Sequence, residues 1–300
     1  MTLQVAFSDR FIYSLPPGHR FPIAKYELVT EQLLYQGIIE RGQLRDVDMV
    51  SGDVACLAHD EAFWQKIEQM DFSPKEVRRI GLPVTEISVR RARNSTAGTV
   101  FATEQALAHG LGMNMGGGTH HAYADHGEGF CLLNDIAVAA AWALDRGLVK
   151  KVLVVDLDVH QGNGTAHIFR DEPRVFTFSV HGKNNYPLHK EQSDLDVPLP
   201  KGTGDALYLA TLRYHLPQLV ESVKPDIIFY QSGVDVLESD LLGHLSLSME
   251  GLLRRDEQVF SLCRQHGIPL VLTMGGGYSA LPTVVNAHFN TYRLAIDMLG

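Results

Sequence analysis

In the second half of the chain, short unbroken apolar runs alternate with longer stretches whose apolar positions recur at helical spacing. The runs at 151–156, 174–180, 226–231 and 269–274 are mostly Val, Ile, Leu and Phe and predict strands. Because they are continuous rather than alternating, they suit strands covered on both faces. Between them, 134–146 opens on Asn134-Asp135 and stops at Gly147, and 248–266 opens on Ser248 and stops at Gly267. Those are helix start and stop signals. The alternation predicts an α/β fold, a parallel β-sheet with helices on both faces. The first half is less regular, with helical patterns over 22–39, 60–69 and 96–109 and an early loop at Pro16, Pro17 and Gly18. No repeat, low-complexity tract or Gly/Ser linker interrupts the chain, so residues 1–300 are read as a single domain.

Composition narrows the function classes. A formal charge of −9 argues against a protein that grips nucleic acid, which needs a basic surface. The one basic cluster, Arg90, Arg91 and Arg93, is too short to change that and reads as a solvated loop. The start, MTLQVAFSDRF, lacks the basic, apolar and small-residue order of a leader. The apolar stretch at 136–144 is far below the roughly 20 residues of a membrane span. Cys56, Cys131 and Cys263 form neither a CxxC pair nor an even disulfide set, so reduced thiols and a cytoplasmic protein are expected.

In an open α/β sheet, chemistry gathers beyond the carboxyl ends of the strands. After VLVV comes DLDVH, with Asp156, Asp158 and His160. Asp235 follows IIFYQSGV, Tyr278 follows LVLTMGGG, and upstream a glycine-rich loop, GGGTHH, ends on His120 and His121. Taken singly, an Asp or His after a strand is ordinarily a turn or cap residue. Their recurrence at one sheet edge is what points to chemistry. Residues two apart in extended chain point the same way, so Asp158 and His160 can face one ion, with Asp235 as a third ligand. Three protein ligands and an open position describe a catalytic metal site; the ligand types suit zinc and also accept other first-row divalent ions.

The segments GGGTHHAYADHGEGFCLLNDIAVAA, VLVVDLDVHQGNGTAHIF, SGVDVLESDLLGHLSLS and MGGGYS resemble successive blocks of the histone deacetylase, acetoin-utilisation and acetylpolyamine amidohydrolase superfamily, in the family order. GHRFPIAKY, with Arg20, resembles its amino-terminal start. The resemblance implies an arginase-like α/β fold and zinc-dependent hydrolysis of the amide of acylated lysine in proteins or peptides. Carried over, it makes Asp158, His160 and Asp235 the zinc ligands, His120 and His121 the tandem histidines beside the attacking water, and Tyr278 the carbonyl-polarising tyrosine. It makes Gly129 and Phe130 a wall of the lysine channel. Asp156, Asp158, His160, Ser179 and Val180 correspond to a structural monovalent-ion site, usually K+. His121 becomes the general base and then acid, and His120 orients water and stabilises charge.

Two departures stand out. Many relatives read DxDxHHGDG where this chain reads DLDVHQGNG, so Asn163 replaces the aspartate that would hydrogen-bond the second histidine. An amide still orients His121 but adds no charge and raises its pKa less. With Gln161, the short chain and the HRFP start, this resembles the class IV side of the family. The loop SVHGKNNYP lacks the phenylalanine of many channel walls, leaving Asn185 or Tyr186 in that place. The nearest rival is an acylpolyamine amidohydrolase, but Leu242 stands where an acidic gatekeeper for cationic amines would be. An arginase-type two-manganese site would need carboxylates where Asn163 and Leu237 stand, and a non-catalytic binding module has no use for the full set of ligands, histidines and Tyr278.

Overall fold

The computed structural model describes residues 3–300; Met1 and Thr2, at the head of the segment read for a leader, lie outside the described residues. The strands are β1 (Val5–Ala6), β2 (Leu44–Arg45), β3 (Leu111–Asn114), β4 (Val152–Asp156), β5 (Val175–Gly182), β6 (Leu195–Leu199), β7 (Ile227–Gln231) and β8 (Leu270–Thr273). The helices are α1 (Lys25–Tyr35), α2 (Gly52–Ala55), α3 (Glu61–Gln69), α4 (Pro74–Ile80), α5 (Glu86–His109), α6 (Asp135–Asp145), α7 (Asn163–Phe169), α8 (Asp205–Val223), α9 (Met249–His266) and α10 (Leu281–Leu299). The eight strands form one sheet in the order β2-β1-β3-β8-β7-β4-β5-β6, every neighbouring pair parallel.

The continuous apolar runs have a direct structural cause. In β4, Leu153 and Val155 enter a core that includes residues of α1, α8, α9 and α10, whereas Val152 and Val154 enter a second core with residues of α3, α5 and α6. Strands β7 and β8 divide in the same way, Tyr230 and Leu272 to the first core, Phe229 and Val271 to the second. Each such side chain, fully buried, contributes about 1.5–3 kcal/mol, so a charge at any of these positions would cost a face of the sheet. Helix α6 is buried along most of its length; the Asn134 side chain caps it by accepting from Ala137 N–H at 3.0 Å. Helix α9 starts on Ser248, whose hydroxyl accepts from Gly251 N–H at 2.9 Å, and ends on Gly267 in the left-handed region.

One reading is corrected. Arg90, Arg91 and Arg93 belong to helix α5, which begins at Glu86 rather than near 96, and Arg91 is buried rather than solvated. Thr85 and Ser88 form a capping box that starts the helix ten residues early. The Arg91 guanidinium lies 4.9 Å over the Tyr26 ring and donates from Nε to the Phe11 carbonyl at 3.0 Å. Aromatic faces and a carbonyl thus replace water around the cation.

Among the described residues no helix is long and apolar enough to cross a membrane. The chain passes from β3, beside β8, to β4, on the far side of β7. Such a change of direction leaves a crevice outside the carboxyl ends of the strands.

Candidate active site

Beyond β4 the chain turns so that Asp158 and His160 face Asp235, which lies past the end of β7; their ligand atoms all fall within 4.8 Å of one another and all three residues are buried. His160 Nδ1 stands 3.0 Å from Asp158 Oδ1 and 3.1 Å from Asp235 Oδ2. Spacings of this order fit donors held about 2.0–2.2 Å from one zinc ion. Backbone amides fix the carboxylates: Gly276 N–H donates to Asp158 Oδ2 at 2.7 Å, and Val159 N–H to Asp235 Oδ1 at 2.9 Å. Glycine is required at 276, since a Cβ there would run into the Asp235 carboxylate. Electrostatics also call for a cation. Burial, with Asp158 opposite, pushes Asp235 up to about 7, and His160 is drawn up to about 10 by the two carboxylates although burial opposes it. Two facing buried acids resist ionisation unless positive charge sits between them, and a divalent ion supplies more of it than a proton does. The donor set therefore fits a metal.

The GGGTHH loop is set in place by the first residue of α6. Asp135 accepts from Thr119 N–H at 2.7 Å and Gly118 N–H at 3.1 Å, and from the Thr119 and Thr99 hydroxyls, each at 2.5 Å. Held this way, His120 and His121 lie with ring centroids 4.1 Å apart and opposite electrostatic characters. His120 Nδ1 meets Asp156 Oδ2 at 2.6 Å; burial disfavours its cation, but Asp156 and Asp158 outweigh burial and raise it to about 9. His121 Nδ1 meets Asn163 Oδ1 at 2.6 Å, and burial with the neighbouring His120 and His160 holds it well below 6.5. The carboxylates thus favour the cation at His120, while burial and its neighbours favour the neutral imidazole at His121.

A channel lined by Gly129, Phe130, Tyr186, Leu242 and Tyr278, among others, leads down to His121 and His160. Its wall is pinned to α4, with Phe130 N–H donating to the Ile80 carbonyl at 2.7 Å and Gly129 N–H to the Arg79 carbonyl at 3.2 Å. Gly129 and Phe130 both have positive φ, 57° and 67°. Strain of this kind at a phenylalanine is held by its surroundings and is common at binding walls. Of the two candidates for the opposite wall, Tyr186 sets its ring edge-on to His121 at 5.0 Å, whereas Asn185 is buried and donates to the Leu242 carbonyl at 2.8 Å. Tyr278 stands between the channel and an inner pocket that extends past Asp158 and His160 to Phe21, Lys25 and Tyr26. Burial and the nearby Asp235 and Asp158 raise its phenol well above 10, so it keeps its proton as a donor.

Two residues here were not singled out from the sequence. Lys25 is fully buried, donates from Nζ to the Gly275 carbonyl at 2.5 Å and is pulled down to about 8 by burial. Its only signal was a lysine amid the apolar neighbours of FPIAKY. Glu128, in the loop before the channel wall, accepts from the Asn163 amide at 2.8 Å.

Residues 19–292 match the family described as the histone deacetylase domain. Over 299 residues the chain is 41% identical to an uncharacterized protein of Picosynechococcus sp., covering 99% of this chain and 100% of that one. It is 35% identical over 189 residues to histone deacetylase 2 of Arabidopsis thaliana, covering 62% of this chain and 49% of that one. It is 28% identical over 315 residues to the acetoin utilization protein AcuC of Staphylococcus aureus, covering 97% and 81%. The crystal structure of the HDA15 HD domain superposes with a TM-score of 0.82 at 23% identity, covering 99% of this chain and 88% of that one, and shares the fold.

Proposed function

The chain belongs to the histone deacetylase family, and from that premise we propose that it hydrolyses the amide of acylated lysine side chains. The observation that carries this reading is the meeting of a three-donor metal site, a neutral imidazole and a protonated phenol at the foot of one channel. Asp158, His160 and Asp235 would hold zinc, which when bound polarises a carbonyl as a Lewis acid and acidifies water.

The chain's own residues do the rest. Phe130 and Tyr186 flank the acyl-lysine stem and keep bulk water from the amide. His121, neutral with its Nδ1 tied to Asn163, takes a proton from the attacking water at Nε2 and returns it to the departing amine. His120 stays charged against Asp156 and offsets the negative charge that grows on the carbonyl oxygen. Tyr278 donates its hydroxyl proton as a hydrogen bond to the same oxygen, a contact that strengthens in the transition state. Leu242 at the channel mouth supports acyl-lysine over acylpolyamines, since it offers no charge to a cationic amine. A structural K+ beside Asp156, Asp158, His160, Ser179 and Val180 is part of the proposal on the family resemblance alone. The three free thiols support a reducing, cytoplasmic setting.

Purified Asp235→Ala is the test: metal content and release of acid from an acetyl-lysine peptide should fall together. Zinc content equal to wild type in that variant would remove Asp235 from the ligand set.

A further inference from the structure

Hydrolysis as proposed needs His121 to carry its proton on Nδ1, so that Nε2 is free to accept one. A carboxylate at 163 would enforce this by itself, because both of its oxygens only accept. Asn163 cannot, because its amide has a donating end as well as an accepting one. Turned one way, Oδ1 accepts from His121 Nδ1–H. Turned the other, the NH2 donates to Nδ1 and drives the proton onto Nε2, where it blocks the base.

We propose that Glu128 is the positioning residue that fixes the Asn163 amide and, through it, the tautomer of His121. Asn163 Nδ2 donates to Glu128 Oε1 at 2.8 Å and to the Tyr123 hydroxyl at 3.1 Å, while Oδ1 faces His121 Nδ1 at 2.6 Å. Both partners of the NH2 are acceptors. The Tyr123 hydroxyl commits its own proton to Glu191 Oε1 at 3.1 Å, which leaves a lone pair for the amide. Glu128 is ionised: although half-buried, it is held below the usual carboxylate range by His126, the Tyr186 phenol and the Asn163 amide. A flipped amide would turn its carbonyl oxygen onto that carboxylate, an unpaired contact between two acceptors inside the protein. The same Oε1 accepts from the Tyr186 hydroxyl at 2.5 Å, so one carboxylate also ties the channel wall to the base. Glu128 is itself held in a short antiparallel bridge, exchanging backbone hydrogen bonds with Cys131 at 2.9 Å in both directions. The negative charge that relatives carry at 163 thus sits one hydrogen bond further out.

This rests on the hydrolase reading for its consequence in turnover, but the tautomer can be read without turnover. In zinc-loaded protein labelled with 15N-histidine, with the His121 signals identified by their loss in His121→Gln, wild type should show the Nδ1–H form. Glu128→Gln presents either end of an amide to Asn163 and should give a mixture of both tautomers. On acetyl-lysine peptide its kcat should fall about tenfold, part of what a general base supplies, with KM within about twofold. In the Asn163→Asp background there is no amide left to orient, and Glu128→Gln there exchanges a carboxylate that faces another carboxylate for an amide able to donate to it, so the Nδ1–H form should persist and kcat should not fall by more than about twofold, the limit of ordinary additivity error. A Glu128→Gln variant that keeps the Nδ1–H form would overturn the proposal, and so would equal losses in the wild-type and Asn163→Asp backgrounds. Absence of turnover in wild type would sink the hydrolase reading instead, while the tautomer comparison still decides the role of Glu128.

Discussion

Tyr278 reaches the site through its backbone: its N–H donates to Asp240 Oδ2 at 2.6 Å, and the glycines before it bring the chain against the Asp158 and Asp235 carboxylates. Removing the hydroxyl should therefore leave the fold intact and delete one donor to the developing oxyanion. Tyr278→Phe is expected to lower kcat about a hundred- to a thousandfold with an unchanged thermal midpoint. A kcat within about twofold of wild type, well short of that range, would take Tyr278 out of the mechanism. At this scale the sequence was most legible where a residue's role follows from its type and its strand-end position, as for Asp158, His160 and Asp235. It was least legible where the role depends on an oxygen or a nitrogen facing the right way. Asn163 could be read as a partner of His121, but nothing in the spacing of Glu128 says that it holds the far end of that amide.

Among the elements, the β4, β5, β7 and β8 runs were legible because both faces are buried, which makes the apolar signal continuous. Strands β1 and β2 are two residues each and carry no such signal, and β3 (Leu-Gly-Met-Asn) is broken by a glycine. That glycine is forced, since a Cβ at 112 would run into the Ala102 carbonyl of α5. The first half of α5 was missed because its buried side includes Ser88, Arg91, Asn94 and Ser95, polar residues paired internally rather than an apolar stripe. A buried polar contact also predicts how the site loop responds to acid. His59, between α2 and α3, donates from Nδ1 to the Tyr123 carbonyl at 2.9 Å and accepts at Nε2 from Asn134 N–H at 3.0 Å, joining the catalytic loop to the start of α6. Burial pulls it from 6.5 to about 4, so between those values the unfolded chain binds a proton that the folded chain refuses. Its stabilising contribution is complete above pH 6.5 and is lost as pH falls toward 4, up to about 3 kcal/mol. Urea unfolding should find His59→Gln less stable than wild type at pH 7, with the gap narrowing across that window. A gap that stays constant from pH 7 to 4 would contradict the linkage.

On the scale of the molecule, the parallel sheet brings five separate loops to one crevice, and the walls between them decide what enters. Behind Phe130 lies a pocket lined by Ile80, Leu82, Pro83, Val84, Leu132 and Leu133, which shares Thr119 and Phe130 with the inner pocket. An acyl chain that reaches it gains about 0.8 kcal/mol for each buried methylene. With a volume of about 20 Å³, little more than one water needs, the pocket does not hold an octanoyl chain, so acetyl-lysine peptide is expected to exceed octanoyl-lysine peptide in kcat/KM, and the reverse order would mean that Phe130 moves aside to open it. Leu242→Glu should move preference toward acetylated polyamines by placing a carboxylate at the mouth; wild-type preference for those amines would overturn the lysine assignment. The most direct measurement of the central claim is acid release from an acyl-lysine peptide as zinc is returned to metal-stripped protein. Release should be absent without metal, rise with added zinc and level off at one equivalent per chain. Release that ignores zinc, or none at full loading, would contradict it.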